Sequence, residues 1–96
     1  MFIIDLTYNT TLEKVDQFLD EHIVFLNEQY ALGHFLASGR KVPRTGGIIL
    51  SNVTSKTELE SIIEKDPFKK NGVEDYELTE FVSTKTCDEL NFLVEY

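Results

Sequence analysis

His22 and Asp66 are the residues whose type and setting point to chemistry. At helical spacing Val15, Phe18, Leu19, His22, Phe25 and Leu26 form one stripe, while Glu13, Asp16, Asp20, Glu21 and Glu28 largely take other faces. Histidine exchanges a proton near neutral pH. A ring placed where a leucine would pack is therefore either a hydrogen-bonded core residue or a general base or acid in a pocket. Asp66 stands before Pro67, where a carboxylate caps a short helical turn and accepts backbone N–H groups. It is either a cap alone or the partner that orients His22. In the second case an ionised carboxylate, bonded to one ring nitrogen, selects the tautomer whose other nitrogen accepts a proton.

Ser38-Gly39 falls at the end of an apolar run, where glycine lets a ligand approach the backbone and the serine hydroxyl can donate to it; the plain alternative is a strand that bends at its end. Arg40, Lys41 and Arg44 share one loop, and Lys65, Lys69 and Lys70 bracket another segment. If the two segments meet they form a positive patch suited to a small organic anion; otherwise they are solvated loops. Arg40 or Arg44 would then hold a substrate carboxylate by a bidentate contact. Tyr8, Tyr30 and Tyr76 are candidates either for a cavity wall or for the core. Gly46-Gly47 lacks the lysine and following helix of a phosphate loop, and Ser38 lacks the glycine two residues earlier that marks a nucleophile elbow. Cys87 has no neighbouring histidine, and His22 and His34 do not share a metal-ligand spacing, so neither a cysteine nucleophile nor a metal site is expected.

These residues must be positioned by a small set of elements. Residues 2 to 8 alternate Phe2, Ile4, Leu6, Tyr8 against Ile3, Asp5, Thr7, the period of a strand. Thr10 and Glu13 have capping-box spacing, which predicts a helix from there to Tyr30 or Ala31, stopped by Gly33. A second strand is expected over 34 to 41, a turn over 43 to 47, and a third strand over 48 to 53 paired back on the second. Ser55 and Glu58 open another helix, with Leu59, Ile62 and Ile63 facing inward; Pro67 ends it near Lys65. A short turn begins at Pro67 and ends at Gly72. A fourth strand then spans 73 to 82, with Tyr76, Leu78 and Glu80 on one row. After Ser83 the apolar Phe92, Leu93, Val94 and Tyr96 are expected to pack on the body or on a partner.

The order strand, helix, strand, strand, helix, strand is the split βαβ arrangement of an α+β ferredoxin-like domain: a four-stranded antiparallel sheet with two helices on one face. Two helices cover one side of such a sheet. Its other side also carries apolar residues, and an identical sheet across a two-fold axis is the economical cover. We therefore expect one domain over 1–85, a tail over 86–96, and a homodimer.

Composition narrows the function further. The net charge of −8 opposes binding to nucleic acid or to anionic membranes. No segment approaches the ~20 apolar residues that a membrane span requires. The N-terminus lacks a basic region before its apolar residues, unlike a signal peptide. A lone cysteine makes no internal disulfide, so a reducing cytoplasm is the expected setting.

The strand Phe2-Ile3-Ile4-Asp5-Leu6-Thr7-Tyr8, His22 within its helix, Gly33-His34-Phe35-Leu36-Ala37-Ser38-Gly39, Pro43-Arg44-Thr45-Gly46-Gly47-Ile48-Ile49 and Asp66-Pro67-Phe68 together resemble the YciI-like, or YCII-related, proteins. The resemblance covers nearly the whole chain to about Lys85. It implies a ferredoxin-like domain that dimerises through its sheets into an α/β barrel, related to muconolactone isomerases. It also implies an active site built on a histidine and an aspartate, here His22 and Asp66. Ser38, Gly39, Arg40, Arg44, Phe68 and Tyr8 would surround the substrate. A related dehydrochlorinase of chlorinated aromatic breakdown indicates what such a pair can do. No cofactor is implied.

Three functions follow. The leading one is a lyase or isomerase in which His22 moves a proton on a small, anionic, cyclic or unsaturated acid. The second is a non-catalytic dimeric module that binds a small metabolite or a partner protein, with His22 a satisfied core residue. The third is a cofactor-free oxygenase, for which the residues name no oxidisable substrate.

Overall fold

The computed structural model describes residues 1–95; the expectation for Tyr96 lies outside them. Strand β1 (Phe2–Tyr8) is followed by helix α1 (Leu12–Asp16), helix α2 (Leu19–Ala31), strands β2 (Phe35–Arg40) and β3 (Gly46–Ser51), helix α3 (Lys56–Ile63), helix α4 (Pro67–Lys70) and strand β4 (Glu74–Glu80). The sheet order is β2-β3-β1-β4, with every neighbouring pair antiparallel. This is the ferredoxin-like α+β architecture expected from the order of elements.

The first helix departs from the continuous one expected. It breaks between Asp16 and Leu19, and its N-cap is Thr11, whose hydroxyl accepts from the Lys14 backbone N–H, one residue later than the expected capping box. The break serves two cores. Val15, with Phe18 and Leu19, packs beside Phe68 and Val73, whereas Phe25 and Leu26 pack on the sheet with Phe2, Ile4, Leu6, Ile49, Leu59 and Ile62. A single straight stripe cannot face both clusters, so the chain turns at Gln17-Phe18.

β3 also starts earlier than its apolar run, at Gly46 in place of Ile48. Glycine is required there by close approach: a Cβ on Gly46 would lie 1.8 Å from the Leu6 carbonyl oxygen. One on Gly47 would lie 2.9 Å from that of Gly39. The glycines read as a turn are the strand itself, and they leave bare backbone where side chains would otherwise fill the space.

On the face away from the helices, Ile3 and Ile48 are more than one-third exposed, and Lys41 Nζ lies 2.6 Å from Asp5 Oδ1. After β4 a 3-10 helix (Asp88–Leu93) brings the tail back. Leu93 is buried, Phe92 is exposed, and the Glu95 N–H donates to the Ser83 carbonyl at 2.7 Å. None of the helices among the described residues is long and apolar enough to cross a membrane.

Candidate active site

α2 crosses the inward face of the sheet and leaves a cleft of about 190 Å³ under it. Leu6, Ile49, Gly47 and Gly39 form its floor, Leu19, His22, Ile23 and Leu26 its helical wall, and Tyr8, Phe68 and Glu74 one end. A dry cavity of about 150 Å³ holds a benzene ring, so the space suits one substituted ring or an acid of similar size.

His22 is 9% exposed and lies flat on Phe68, with ring centroids 3.9 Å apart and planes 11° from parallel. Its Nδ1 is 2.8 Å from Asp66 Oδ1. Asp66 is 1% exposed and is held from three directions. It caps α4, where Oδ1 also accepts from the Phe68 N–H at 3.0 Å, and Oδ2 accepts from the Tyr76 hydroxyl at 2.6 Å. A carboxylate that only accepts requires Nδ1 of His22 to carry the hydrogen. Nε2 is then the nitrogen with a free lone pair. It makes no hydrogen bond to the described residues and is not sealed from solvent.

Tyr76 was read from the sequence as a cavity or core residue; its place is behind the aspartate. Burial, ahead of the charge of Asp66, pushes its phenol far up, so it keeps its proton and serves as a donor.

Glu74 was missed. It shares the inward row of β4 with Tyr76 and Leu78, opposite Tyr8, and is 5% exposed. Its Oε1 is enclosed and has no hydrogen-bond partner among the described residues. Burial first, and the Asp66 carboxylate second, push it up to about 8, against an opposing pull from Lys41. The signal was available in the alternation, since a glutamate with the parity of Tyr76 and Leu78 points inward exactly as an anomalous histidine does on a helix stripe.

The Glu74 shift makes a stability prediction. Because the folded value lies above the ordinary carboxyl value of 4.5, the contribution is present below that value and is lost as pH rises through about 8. Between about pH 5 and about pH 8 the cost to the wild type is about 3 kcal/mol. Urea unfolding should show Glu74→Gln gaining about that much on the wild type across the interval. Parallel stability curves would place the carboxyl in a solvated, ionised state.

The remaining candidates divide. Ser38, Gly39 and Arg40 line the cleft at its other end, where the Ser38 hydroxyl is 2.6 Å from that of Tyr30. Arg40 has no ion-pair partner among the described residues. Arg44 does not line the cleft: it pairs with Asp16 and lies over the Tyr8 ring, 5.8 Å from its centre. Lys41 is tied to Asp5 and Thr7, and Lys69 sits over Tyr76, so these basic residues are engaged separately. His34 bonds Gln29 through Nδ1 at 2.7 Å, and Cys87 is exposed. Among the described residues no cluster of three His, Cys, Asp or Glu side chains is arranged to hold a metal ion.

The model of the YCII-related domain matches residues 1–82. The chain belongs to the family of YCII-related domains. No curated protein matches it. Among solved structures, this YCII-related chain is similar to 5-chloro-2-hydroxyhydroquinone dehydrochlorinase from Burkholderia phenoliruptrix, in complex with 2,5-dihydroxybenzoquinone, with a TM-score of 0.72. The two are 18% identical over 86% of this chain and 95% of the other. At that identity the likeness speaks for the YCII-related fold alone.

Proposed function

We propose that this protein is a cofactor-independent enzyme of lyase or isomerase type, with His22 as the base and Asp66 as the residue that orients and charge-stabilises it. The observation that carries the reading is the 2.8 Å contact between His22 Nδ1 and an Asp66 already fixed by Phe68 and Tyr76. A core histidine needs one partner. Here the partner is itself held by two further donors, and the opposite nitrogen stays open, which is the arrangement of an oriented base.

The substrate is a small cyclic or unsaturated compound, with an acidic group at the Arg40 end where the lining carries a guanidinium. In a dehydrochlorination, Nε2 takes a proton from the substrate, and the released pair forms a new π bond as chloride leaves with its own bonding pair. The imidazolium then returns its proton to solvent, completing the loss of hydrogen chloride. Incubation with 5-chloro-2-hydroxyhydroquinone, followed by chloride release, tests the reaction class. Release that scales with protein concentration is expected, and a rate equal to the buffer's would rule out this substrate class and direct the search to isomerisations.

The reading includes a homodimer through the open sheet face, supported by the exposed Ile3 and Ile48. Sedimentation at micromolar concentration should give twice the chain mass, and Ile3→Lys should give the chain mass. A wild-type monomer would overturn the dimer.

A further inference from the structure

Glu74 is the acidic residue among those that line the cleft, and the His22–Asp66 pair does not use it. Its position is set by register, since Tyr8 pairs with Glu74 and Leu6 with Tyr76, which turns both side chains of β4 toward the helices. A position that only needed filling would hold an apolar side chain, as the same row does at Leu78. Instead a carboxyl is buried at 5% exposure with Oε1 unpartnered, an arrangement that costs free energy unless a bound group supplies the partner.

We propose that Glu74 is a second acid–base residue of this cleft, donating its proton to a carbonyl or enolic oxygen of the substrate while His22 acts on the adjoining carbon. This rests on the reading of His22 as the base. The charged and titratable groups around Glu74 are Asp66 and Tyr76 behind it, Tyr8 across the strand pair, His22 on α2, and Lys41 beyond β2. Lys41 is committed to Asp5 and Thr7, and its pull is outweighed by burial and by Asp66. The carboxyl is therefore protonated at neutral pH and has an O–H to give. Among the described residues no lysine or arginine lines this end; Arg40 stands on β2, at the opposite edge of the sheet. An oxygen bound at Glu74 is accordingly a carbonyl or hydroxyl oxygen, and a carboxylate belongs at Arg40.

The substrate class is then an enolisable carbonyl compound no larger than one substituted ring. The α-proton passes to Nε2 of His22 and the C–H pair forms the enol double bond. The carbonyl π pair moves onto oxygen, which takes the proton of Glu74. Where chlorine sits on the next carbon, the enol O–H returns its proton to Glu74, the carbonyl re-forms, and the enol pair becomes the new double bond as chloride leaves with its bonding pair. Glu74 ends as it began, and His22 releases the substrate proton to solvent.

Calorimetric binding of 2,5-dihydroxybenzoquinone to the full chain between about pH 7 and about pH 9.5 tests this, with circular dichroism to show that each variant is folded. The wild type should weaken about 10-fold across the interval as the donor is lost. Glu74→Gln, whose amide still donates and does not titrate, should stay within about 3-fold throughout. Glu74→Leu should bind about 10-fold more weakly than the wild type at about pH 7 and show no pH step. A step that survives in Glu74→Gln, or a Leu variant that binds like the wild type, overturns the role of Glu74 and leaves that of His22 standing. A wild type that does not bind overturns both.

Discussion

His22→Asn lowers turnover by about 10²- to 10⁴-fold while the protein stays folded. Asparagine is the informative replacement because its amide nitrogen falls near the place of Nδ1, so the hydrogen bond to Asp66 Oδ1 is kept, whereas nothing replaces Nε2. The stacking on Phe68 is lost in part, and leaving part of the ring volume empty costs about 1–2 kcal/mol of stability, within the margin of a domain this size. Chloride release measures the activity, and urea unfolding the stability. Added imidazole should restore part of the rate, because the cleft opened by the shorter side chain has room for the missing base. A folded His22→Asn protein with full turnover would show that the proton moves by another route, and Glu74 would be the first residue to examine. A loss of turnover that imidazole does not touch would assign His22 to holding the cleft open.

The path from sequence to structure was clearest where a residue broke a local pattern. His22 on an apolar stripe and Asp66 before a proline are both short-range anomalies, and the fold brings them within a hydrogen bond although 44 residues separate them. The order of strands was equally legible, since alternation in 2–8 and the caps at Ser55 and Asp66 are local signals with direct causes. What the sequence hid depends on contacts across the chain. The break at Gln17-Phe18 exists because Val15 and Phe25 serve different clusters, and helical periodicity carries no record of which core a residue joins. Gly46 looked like a turn residue because the carbonyl it must clear belongs to Leu6, forty positions earlier. Arg40 and Arg44 were equivalent candidates by type and spacing. Only the position of Asp16 separates them, by engaging Arg44 and leaving Arg40 on the wall of the cleft.

Glu74 is the instructive omission. A strand read as beginning at Val73 puts attention on its hydrophobic rows, and a glutamate near a strand end is ordinarily a solvated edge residue. Its burial is imposed by Tyr8 and Phe68, which meet edge to face at 6.4 Å and close that end of the cleft. Three acidic or phenolic groups, Asp66, Glu74 and Tyr76, are thereby gathered in one buried corner. Asp66 is a cause of the upward displacement of both others, which favours the protonated form of Glu74 and of Tyr76.

Asp66→Ala therefore has the largest effect on stability expected of any change in the cleft, about 3–7 kcal/mol by urea unfolding. The substitution removes the N-cap of α4, worth about 1 kcal/mol, and leaves the Tyr76 hydroxyl and His22 Nδ1 in a buried site with no acceptor, at about 1–3 kcal/mol each. Tyr76→Phe, which removes one donor and leaves the other two bonds of Asp66 intact, should cost about 1–2 kcal/mol. Asp66→Asn separates structure from chemistry. The amide still caps α4 and so unfolds less readily than the alanine variant, but it has only one acceptor oxygen for three donors. Because the Phe68 N–H and His22 Nδ1 share Oδ1, keeping the cap turns the NH₂ toward the Tyr76 hydroxyl, which must then accept; His22 keeps its tautomer but loses the negative charge that stabilises its protonated form. Turnover should then fall, though less than in His22→Asn, while much of the stability is kept. The same substitution deletes the second cause of the Glu74 shift, so the carboxyl, followed by carbon-13 NMR, should titrate below its wild-type value of about 8. An Asp66→Asn protein with unchanged turnover and an unmoved Glu74 titration would show that the aspartate is a cap and nothing more.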